Sequence, residues 1–169
     1  MISEEEIKAK VKEVADKISR DYDGESIVVI SVLTGAFIFT ADLVRELTIP
    51  VDKIDTVQIS SYEGTKSTGN FIFKKDITTD ISGKNVLIVE DIVDTGRTLK
   101  KLREMLQMRE PKSIKICTAF DKPSRRVNDL VPDYNCFTIP DEFVVGYGLD
   151  YDGKYRQFKD IKIVRTDNE

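Results

Sequence analysis

Two neighbouring acids stand beside a segment that suits a phosphate group. Glu90 and Asp91 follow the apolar run 86–89, which predicts a buried strand that stops at the acids. The segment 94–98, Asp-Thr-Gly-Arg-Thr, then opens a predicted helix. Its backbone N–H groups, its two threonine hydroxyls and the positive end of the helix would cradle a phosphate. Because carboxylates would repel that phosphate, we expect sugar hydroxyls or Mg²⁺ to lie between them.

Other interpretations of this segment are possible on its residues alone. The Asp-Thr-Gly sequence is also compatible with an ordinary N-capping turn. Two unpaired acids at a buried strand end would be costly, however, and this favours a ligand. The chain has neither the Gly-Lys-Ser/Thr of a nucleotide-binding P-loop nor the Gly-x-Gly-x-x-Gly of a dinucleotide-binding fold.

The composition excludes several kinds of catalysis. None of the 169 residues is histidine, so a Ser-His-Asp triad, a Cys-His pair and a histidine-bearing zinc site are ruled out. Proton transfer must then involve Asp, Glu, Lys, Tyr or a thiol. The two cysteines, Cys117 and Cys136, lie in apolar runs and are predicted to be reduced and buried.

Charge and hydropathy limit the partners of the chain. Lys and Arg number 26 and Asp and Glu 30, and the resulting net charge of −4 argues against nucleic acid and anionic membranes as partners. No apolar segment approaches the roughly 20 residues that span a bilayer. The N-terminus is acidic where a signal peptide would be basic, so we expect a cytoplasmic protein.

Alternating helix and strand patterns position the candidate residues. Ser3 and Glu6 form a predicted capping box for a helix that ends near Arg20. Further helices are predicted at 36–47 and 98–109, and strands at 27–33, 57–61, 71–75, 86–89, 113–120, 134–139, 143–145 and 161–164. This alternation predicts one α/β domain with a mostly parallel central sheet flanked by helices. Ligands of such sheets bind at the carboxyl ends of the strands, where the polar segments 33–35, 90–98 and 121–122 lie.

Four segments, in order along the chain, resemble one enzyme family. Residues 89–98, Val-Glu-Asp-Ile-Val-Asp-Thr-Gly-Arg-Thr, resemble the phosphoribosyl-pyrophosphate motif of the type I phosphoribosyltransferases. Residues 143–151, Phe-Val-Val-Gly-Tyr-Gly-Leu-Asp-Tyr, are similar to the purine-site signature of the hypoxanthine-guanine phosphoribosyltransferases, and Ile-Pro-Asp-Glu precedes them. Residues 121–126, Asp-Lys-Pro-Ser-Arg-Arg, and the pair Ser61-Tyr62 fit the same family.

The resemblance implies a fold with a core, a hood and a lid. Residues 1–169 would form a single phosphoribosyltransferase domain with its core at about 27–138. A small hood would comprise residues from about 139 to 169 together with N-terminal residues. Ser61 and Tyr62 would begin a mobile lid formed by the polar segment 62–70. On sequence alone this segment is equally compatible with an ordinary exposed loop.

The resemblance also assigns the phosphoribosyl half of the site. Asp94 would accept the N7 proton of the incoming purine, and Glu90 and Asp91 would face the ribose hydroxyls and a Mg²⁺ ion. The 5′-phosphate would be held by Asp94, Thr95, Gly96, Arg97 and Thr98. The pyrophosphate would be bound by Thr34, Gly35 and Arg156, with the first of these in a loop that has an unusual cis peptide in the family.

The purine half is implied in the same way. Lys122 would donate to the 6-oxo group, Phe143 would stack on the base, and the Val144 backbone would meet its Watson–Crick edge. The full implied purine site is Ile92, Lys122, Phe143, Val144, Leu149 and Asp150. Asp150 would in addition ligate Mg²⁺, so the implied metal ligands are Glu90, Asp91 and Asp150. Without the resemblance, Phe143 would be taken for a core aromatic and Lys122 for a surface lysine.

One position departs from the family pattern. Members usually carry Lys or Arg where this chain has Thr34. We therefore predict weaker affinity for phosphoribosyl pyrophosphate or pyrophosphate than in a Thr34→Lys variant.

The activity implied is Mg²⁺-dependent transfer of a phosphoribosyl group to hypoxanthine or guanine in purine salvage, by a homodimer or homotetramer. A related transferase for xanthine, adenine or a pyrimidine is one alternative; Lys122 argues against adenine, whereas xanthine stays open. A non-enzymatic sensor of phosphoribosyl pyrophosphate or purines is a second alternative. The absence of a basic face or an added DNA-binding segment argues against a nucleic-acid-binding regulator.

Overall fold

A six-stranded sheet flanked by three helices accounts for most of residues 1–61 and 71–165, which the computed structural model describes. The helices are α1 (Glu4–Tyr22), α2 (Phe37–Glu46) and α3 (Arg97–Gln107), and Pro123–Arg125 is a short 3-10 turn. The strands are β1 (Ile27–Val32), β2 (Val51–Ser61), β3 (Phe71–Lys75), β4 (Asn85–Val93), β5 (Ser113–Asp121), β6 (Tyr134–Thr138), β7 (Val144–Val145) and β8 (Lys162–Ile163).

The order of the strands creates a crevice between β1 and β4. The sheet reads β3-β2-β1-β4-β5-β6, parallel throughout except for the antiparallel pair β2–β3. The chain proceeds from β1 to one side and from β4 to the other, so the loops that follow these two neighbours diverge. Ligands of open α/β sheets bind at such a point. The mostly parallel sheet predicted from the sequence is confirmed.

Apolar side chains bury both faces of the sheet. Alternate residues of β1 point to opposite sides, so Ile27 and Val29 join α1 and α2 in one core, while Val28 and Ile30 join α3 in another. Both cysteines are buried free thiols, and burial raises the pKa of Cys136 to about 12. No helix within the described ranges is long and apolar enough to cross a bilayer.

The chain ends meet in a separate small sheet. β7 pairs antiparallel with β8, and Ile2 bridges to Ile161. The amino group of Met1 also donates to the Ile161 carbonyl at 2.9 Å. Residues before α1 and after β6 therefore contact one another beyond the edge of the main sheet.

Two predicted strand boundaries are wrong for identifiable reasons. β2 begins at Val51 rather than at residue 57, because it keeps its pairing with β1 although Asp52, Lys53 and Asp55 interrupt the apolar pattern. β4 does not stop at the acids but continues to Val93, with Ile92 paired to Phe120 of β5. Backbone pairing thus extends both strands past the point where the apolar sequence ends.

Candidate active site

Three segments meet in the crevice at distances that only glycine permits. A β-carbon on Gly35, in the loop after β1, would lie 1.7 Å from Asp91 Oδ2. A β-carbon on Gly148 would lie 2.1 Å from the Gly35 carbonyl oxygen. The loop after β1, the end of β4 and the segment after β7 are therefore in direct contact, as expected at the carboxyl edge of the sheet.

The two helices that begin in this crevice have no side-chain caps. Ser3 and Glu6 close a complete capping box at α1, which lies elsewhere. By contrast, Ala36 before α2 and Gly96 before α3 provide no side-chain hydrogen bond, and neither first turn contains an acid. The Phe37 N–H donates to the Thr34 carbonyl at 3.2 Å, and the Arg97 N–H donates to the Thr95 hydroxyl at 3.4 Å. The next N–H groups of the two first turns have no side-chain acceptor within the described residues, which suits an anion such as the predicted 5′-phosphate at α3.

Gly96 is required where the phosphate loop turns into α3. Its φ of 81° lies in the left-handed region, and an added β-carbon would lie 2.7 Å from Arg126 Cδ. The guanidinium of Arg126 donates to the Asp94 carbonyl at 3.2 Å and also pairs with Asp121. The side chain of Arg126 is therefore largely buried and supports the loop Asp94–Gly96 from behind.

The acidic pair on β4 is the least neutralised part of the crevice. Within the described residues neither Glu90 nor Asp91 forms an ion pair with Lys or Arg. Burial raises the pKa of Glu90 well above its usual range, and the charge of Asp91 adds to the shift. Burial likewise raises the pKa of Asp91, although hydrogen bonds from Glu90 and from the Ile92 N–H oppose it. Such a pair favours a cation or hydroxyl donors as its ligand.

All six residues of the predicted purine site line one pocket of about 490 Å³ beside this pair. They are Ile92, Lys122, Phe143, Val144, Leu149 and Asp150. Asp91 and Asp94 line the same pocket, which joins the base half of the site to the sugar half. Phe143 lies nearly perpendicular to Tyr151, with 5.4 Å between ring centroids, and at 51% exposure part of its ring is accessible to a planar ligand.

Lys122 is buried at the wall of this pocket. The residue is 7% exposed, and its ammonium donates to the Glu142 carbonyl at 2.6 Å and lies 4.0 Å from the Asp141 carboxylate. A lysine held in this way lines the pocket with donors. The structure therefore does not support its interpretation as a solvated surface lysine.

Asp94 faces an arginine that the sequence did not assign. Arg125 Nε donates to Asp94 Oδ1 at 2.9 Å, and its Nη1 lies 3.7 Å from Asp141. Arg125 thus bridges two acids at the mouth of the pocket, and it leaves the second oxygen of Asp94 available. The only sequence signal for these contacts is the pair of arginines in residues 121–126, because Asp94 and Asp141 are both distant from Arg125 in the chain.

The residues predicted to bind pyrophosphate lie around the contact between Gly35 and Gly148. Thr34 is exposed, and the Leu33–Thr34 peptide bond is cis. Arg156 Nη1 donates to the Gly148 carbonyl at 2.5 Å, and its Nη2 lies 3.2 Å from Asp150. Of the two residues predicted to begin a lid, Ser61 ends β2, whereas Tyr62 lies outside the described residues.

The oxygen donors fit a hard divalent cation that keeps part of its water shell. In the described parts of the chain, no three Cys, Asp or Glu side chains converge as a metal-binding group. Glu90, Asp91 and Asp150 therefore do not form one closed set of ligands. Mg²⁺ is commonly held by one or two carboxylates together with substrate phosphates and waters, so an open arrangement of Asp91 and Asp150 suits it.

Comparisons with known proteins agree with this geometry. The phosphoribosyl transferase domain family matches residues 2–152. A hypoxanthine-guanine phosphoribosyltransferase of Streptococcus pneumoniae is 44% identical over 99% of this chain and 93% of its own length. A hypoxanthine phosphoribosyltransferase of Salmonella typhimurium is 48% identical over 99% and 96%. The crystal structure of a Bacillus anthracis hypoxanthine-guanine phosphoribosyltransferase superimposes with a TM-score of 0.93 at 50% identity, covering 98% of this chain and 97% of that one.

The parallel sheet, the uncapped phosphate loop and the acidic pair thus define a type I phosphoribosyltransferase fold, and the chain belongs to the phosphoribosyltransferase family. It is accordingly a glycosyl transferase. Its similar relatives are the hypoxanthine and hypoxanthine-guanine enzymes of that family.

Proposed function

We propose that the chain transfers the phosphoribosyl group of phosphoribosyl pyrophosphate to hypoxanthine or guanine, giving IMP or GMP and pyrophosphate in purine salvage. The names of relatives that are 44% and 48% identical over nearly the whole chain support this choice of substrates. The uncapped N-terminus of α3 beside the acidic pair suits the sugar phosphate.

The observation that carries the proposal is the purine pocket with Lys122 buried in its wall. The ammonium is a donor only, and it would meet the 6-oxo group of hypoxanthine or guanine in place of the Glu142 carbonyl. Adenine has an amino group at that position and offers no acceptor. Phe143 would stack on the ring, while the Val144 backbone and the flanking Ile92 and Leu149 would complete the purine site.

The position of Asp94 in the pocket supports its proposed role as the base. It lines the pocket, and Arg125 occupies only its Oδ1, so Oδ2 can accept the purine N7 proton. The purine nitrogen then forms a bond to C1′ of the sugar while the bond from C1′ to the pyrophosphate oxygen breaks. Thr95 and its neighbours Gly96, Arg97 and Thr98 would hold the 5′-phosphate during this displacement.

The remaining acids and Arg156 would act on the sugar and the leaving group. Glu90 and Asp91 would bind the ribose hydroxyls, and Arg156 with the backbone of Thr34 and Gly35 would bind the pyrophosphate. Asp150 and the acidic pair would hold Mg²⁺, which when bound would supply charge neutralisation at the pyrophosphate. Ser61 and Tyr62 would open a lid that excludes water, and residues from about 139 onward with the N-terminus would form a hood.

The experiment is a set of turnover assays with phosphoribosyl pyrophosphate and hypoxanthine, guanine, xanthine or adenine, each with and without Mg²⁺. We expect Mg²⁺-dependent formation of IMP and GMP, with adenine inert. Asp94→Asn should slow turnover by about a hundredfold or more, as loss of a general base does. Asp129→Asn is the matched control, since Asp129 is exposed and pairs with Lys100 away from the pocket.

Absence of nucleotide formation from any oxopurine would contradict the proposed function. Efficient turnover of xanthine would change the substrate but not the class of reaction. Equal rates for Asp94→Asn and Asp129→Asn would remove Asp94 from the role of base. Size-exclusion chromatography with light scattering on the same samples tests the proposed homodimer or homotetramer, which a monomeric mass would contradict.

A further inference from the structure

Tyr147 connects the pocket to a helix on the far side of the loop after β1. The residue is 5% exposed, and its hydroxyl donates to Asp42 Oδ2 of α2 at 2.7 Å. Its ring also packs against Phe39 of α2, with 6.3 Å between ring centroids. Burial raises the pKa of Tyr147, so the phenol stays protonated and remains a donor.

The backbone around Tyr147 is held in a conformation that its side chain disfavours. Gly146, Tyr147 and Gly148 have φ values of 105°, 50° and 98°. A positive φ is uncommon for a residue with a β-carbon, and an aromatic residue adopts it only where other contacts fix it. Here the fixing contacts are the bond to Asp42 and the bond from the Tyr147 N–H to the Phe158 carbonyl at 2.8 Å.

These contacts determine where the next residues of the site lie. Gly148 packs against the Gly35 carbonyl and exchanges hydrogen bonds with Arg156: its N–H donates to the Arg156 carbonyl at 2.9 Å and its carbonyl accepts from the guanidinium at 2.5 Å. Leu149 and Asp150 then line the purine pocket. A shift of Tyr147 would therefore move the Gly148–Asp150 segment relative to the loop at Gly35.

Asp42 belongs to the same structural unit as that loop. α2 begins at Phe37, immediately after Thr34, Gly35 and Ala36. The contacts thus close a ring from Gly35 through α2 and Asp42 to Tyr147, and through Gly148 back to Gly35. Within this ring the Tyr147–Asp42 bond is the one side-chain hydrogen bond in the described residues that joins α2 to the segment after β7.

We propose that the Tyr147–Asp42 hydrogen bond is a positioning contact that sets the spacing between the Gly35 loop and the Gly148–Asp150 segment, and thereby the affinity for the pyrophosphate group. The proposal rests on the proposed function, since pyrophosphate is taken as the ligand of this half of the site. Tyr147 would contact neither substrate and would act on the pyrophosphate group through the positions of Gly148 and Arg156.

The chain contains a matched control. Tyr134 is 4% exposed, and its hydroxyl donates to Asp21 Oδ2 at 2.8 Å, so its burial and its hydrogen bond closely resemble those of Tyr147. Tyr134 opens β6 at the amino edge of the sheet, however, opposite the pocket. Phenylalanine at either position removes one buried tyrosine–aspartate bond, and only one of these bonds adjoins the site.

The experiment compares Tyr147→Phe and Tyr134→Phe by thermal unfolding, by titration with pyrophosphate in the presence of Mg²⁺, and by steady-state kinetics. We expect similar losses of stability for both variants. Tyr147→Phe should weaken pyrophosphate binding and raise KM for phosphoribosyl pyrophosphate by about fivefold to tenfold, the worth of one hydrogen bond. KM for hypoxanthine should rise by less than KM for phosphoribosyl pyrophosphate, because only Leu149 and Asp150 of the purine pocket belong to the displaced segment. kcat should change little, and Tyr134→Phe should bind pyrophosphate as the wild type does.

Further variants test whether the bond itself matters. Asp42→Asn retains an oxygen acceptor and should weaken pyrophosphate binding less than Asp42→Ala, while Tyr147→Phe combined with Asp42→Ala should be no worse than either alone. Wild-type affinity in Tyr147→Phe, equal losses in Tyr134→Phe, or additive effects in the double variant would each overturn the proposal. Failure of the wild type itself to bind pyrophosphate would instead count against the proposed function.

Discussion

Asp55 and the Glu90–Asp91 pair are buried or half-buried carboxylates of one sheet, yet their surroundings are opposite. Asp55 accepts hydrogen bonds from the Thr79 N–H and hydroxyl, from the N–H groups of Thr56 and Thr78, and from Lys75. Burial would raise the pKa of Asp55, but these bonds, led by those of Thr79, hold it well below its usual range. A carboxylate satisfied in this way stabilises the fold and has nothing left for a ligand.

The acidic pair shows the other arrangement. Burial raises both pKa values, the charge of Asp91 raises that of Glu90 further, and the charge of Arg156 lowers that of Asp91 without reversing the shift. The charged form is then disfavoured in the free protein and stabilised when a cation or sugar binds. The two carboxylate sites thus differ in their hydrogen-bond partners. Those of Asp55 make it a structural residue, whereas the Glu90–Asp91 pair is suited to a ligand.

The largest effect on activity should come from Asp91→Asn. Asparagine keeps the shape and the acceptor for the Ile92 N–H, which lies 2.6 Å from Oδ1, but removes the charge. We expect kcat/KM to fall by about a thousandfold, the range seen when charge stabilisation at a reacting centre is lost. The melting temperature without Mg²⁺ should stay equal or rise, because one of two repelling charges is gone. A large loss of stability would show that Asp91 is structural, like Asp55.

Asp55→Asn should have the converse result. The new amide would place N–H donors against the N–H donors of Thr78 and Thr79, and we expect a loss of about 2 kcal/mol in the free energy of unfolding. Urea denaturation measures this loss, and kcat of the folded fraction should be unchanged. Asp52→Asn is a control on the same strand, since Asp52 is exposed and accepts from Ser26. A reduced kcat in fully folded Asp55→Asn would contradict this prediction and show that Asp55 affects the active site.

The pH dependence of stability should separate wild type and Asp55→Asn. Because the folded-state pKa of Asp55 is lowered, its contribution is present above the unfolded pKa of about 4 and is lost as the pH falls below it. The difference in unfolding free energy between the two proteins should therefore be constant from about pH 7 to pH 5 and shrink by about 1 kcal/mol or more towards pH 3. A difference that persists unchanged at pH 3 would show that the carboxylate charge is irrelevant.

The comparison also shows where sequence reasoning succeeds. The helices and the sheet follow from periodicity, and the turn into α3 follows from the Asp94-Thr95-Gly96 sequence, because these signals are local. Asp55 gave no such signal. An acid at this position favours a strand that begins only after it, and its partners Thr78 and Thr79 are distant in the chain. The same holds for Arg125 and Asp94, which meet only after β4 and β5 pair.

Aromatic residues mark the same limit. The ring of Tyr147 packs against Phe39, as is usual for a buried aromatic residue. Its hydroxyl, however, donates to Asp42 of α2, which lies 105 residues earlier in the chain. The motif of residues 143–151 identified the neighbourhood, whereas the partner of the hydroxyl depends on how α2 lies over the sheet.

The smallest expected effect concerns the one residue that departs from the family pattern. Thr34 is exposed, and the adjacent Gly35 packs against the carboxylate of Asp91, so a lysine at position 34 would bring a cation to the edge of the acidic site. An exposed charge of this kind is worth under about 1 kcal/mol, so Thr34→Lys should tighten pyrophosphate binding by about threefold at low salt and less as salt increases.

Titration calorimetry with Mg²⁺ and pyrophosphate at two salt concentrations measures the effect of Thr34→Lys. Thr48→Lys is the matched control, because Thr48 is exposed near the end of α2 and adds the same net charge away from the pocket. Equal tightening in both variants would mean that net charge alone attracts the anion. If neither variant differs from the wild type, the side chain at position 34 is immaterial, and backbone donors alone bind the pyrophosphate. Tightening in Thr34→Lys alone would place the missing cation of the acidic site at position 34, where the family usually carries it.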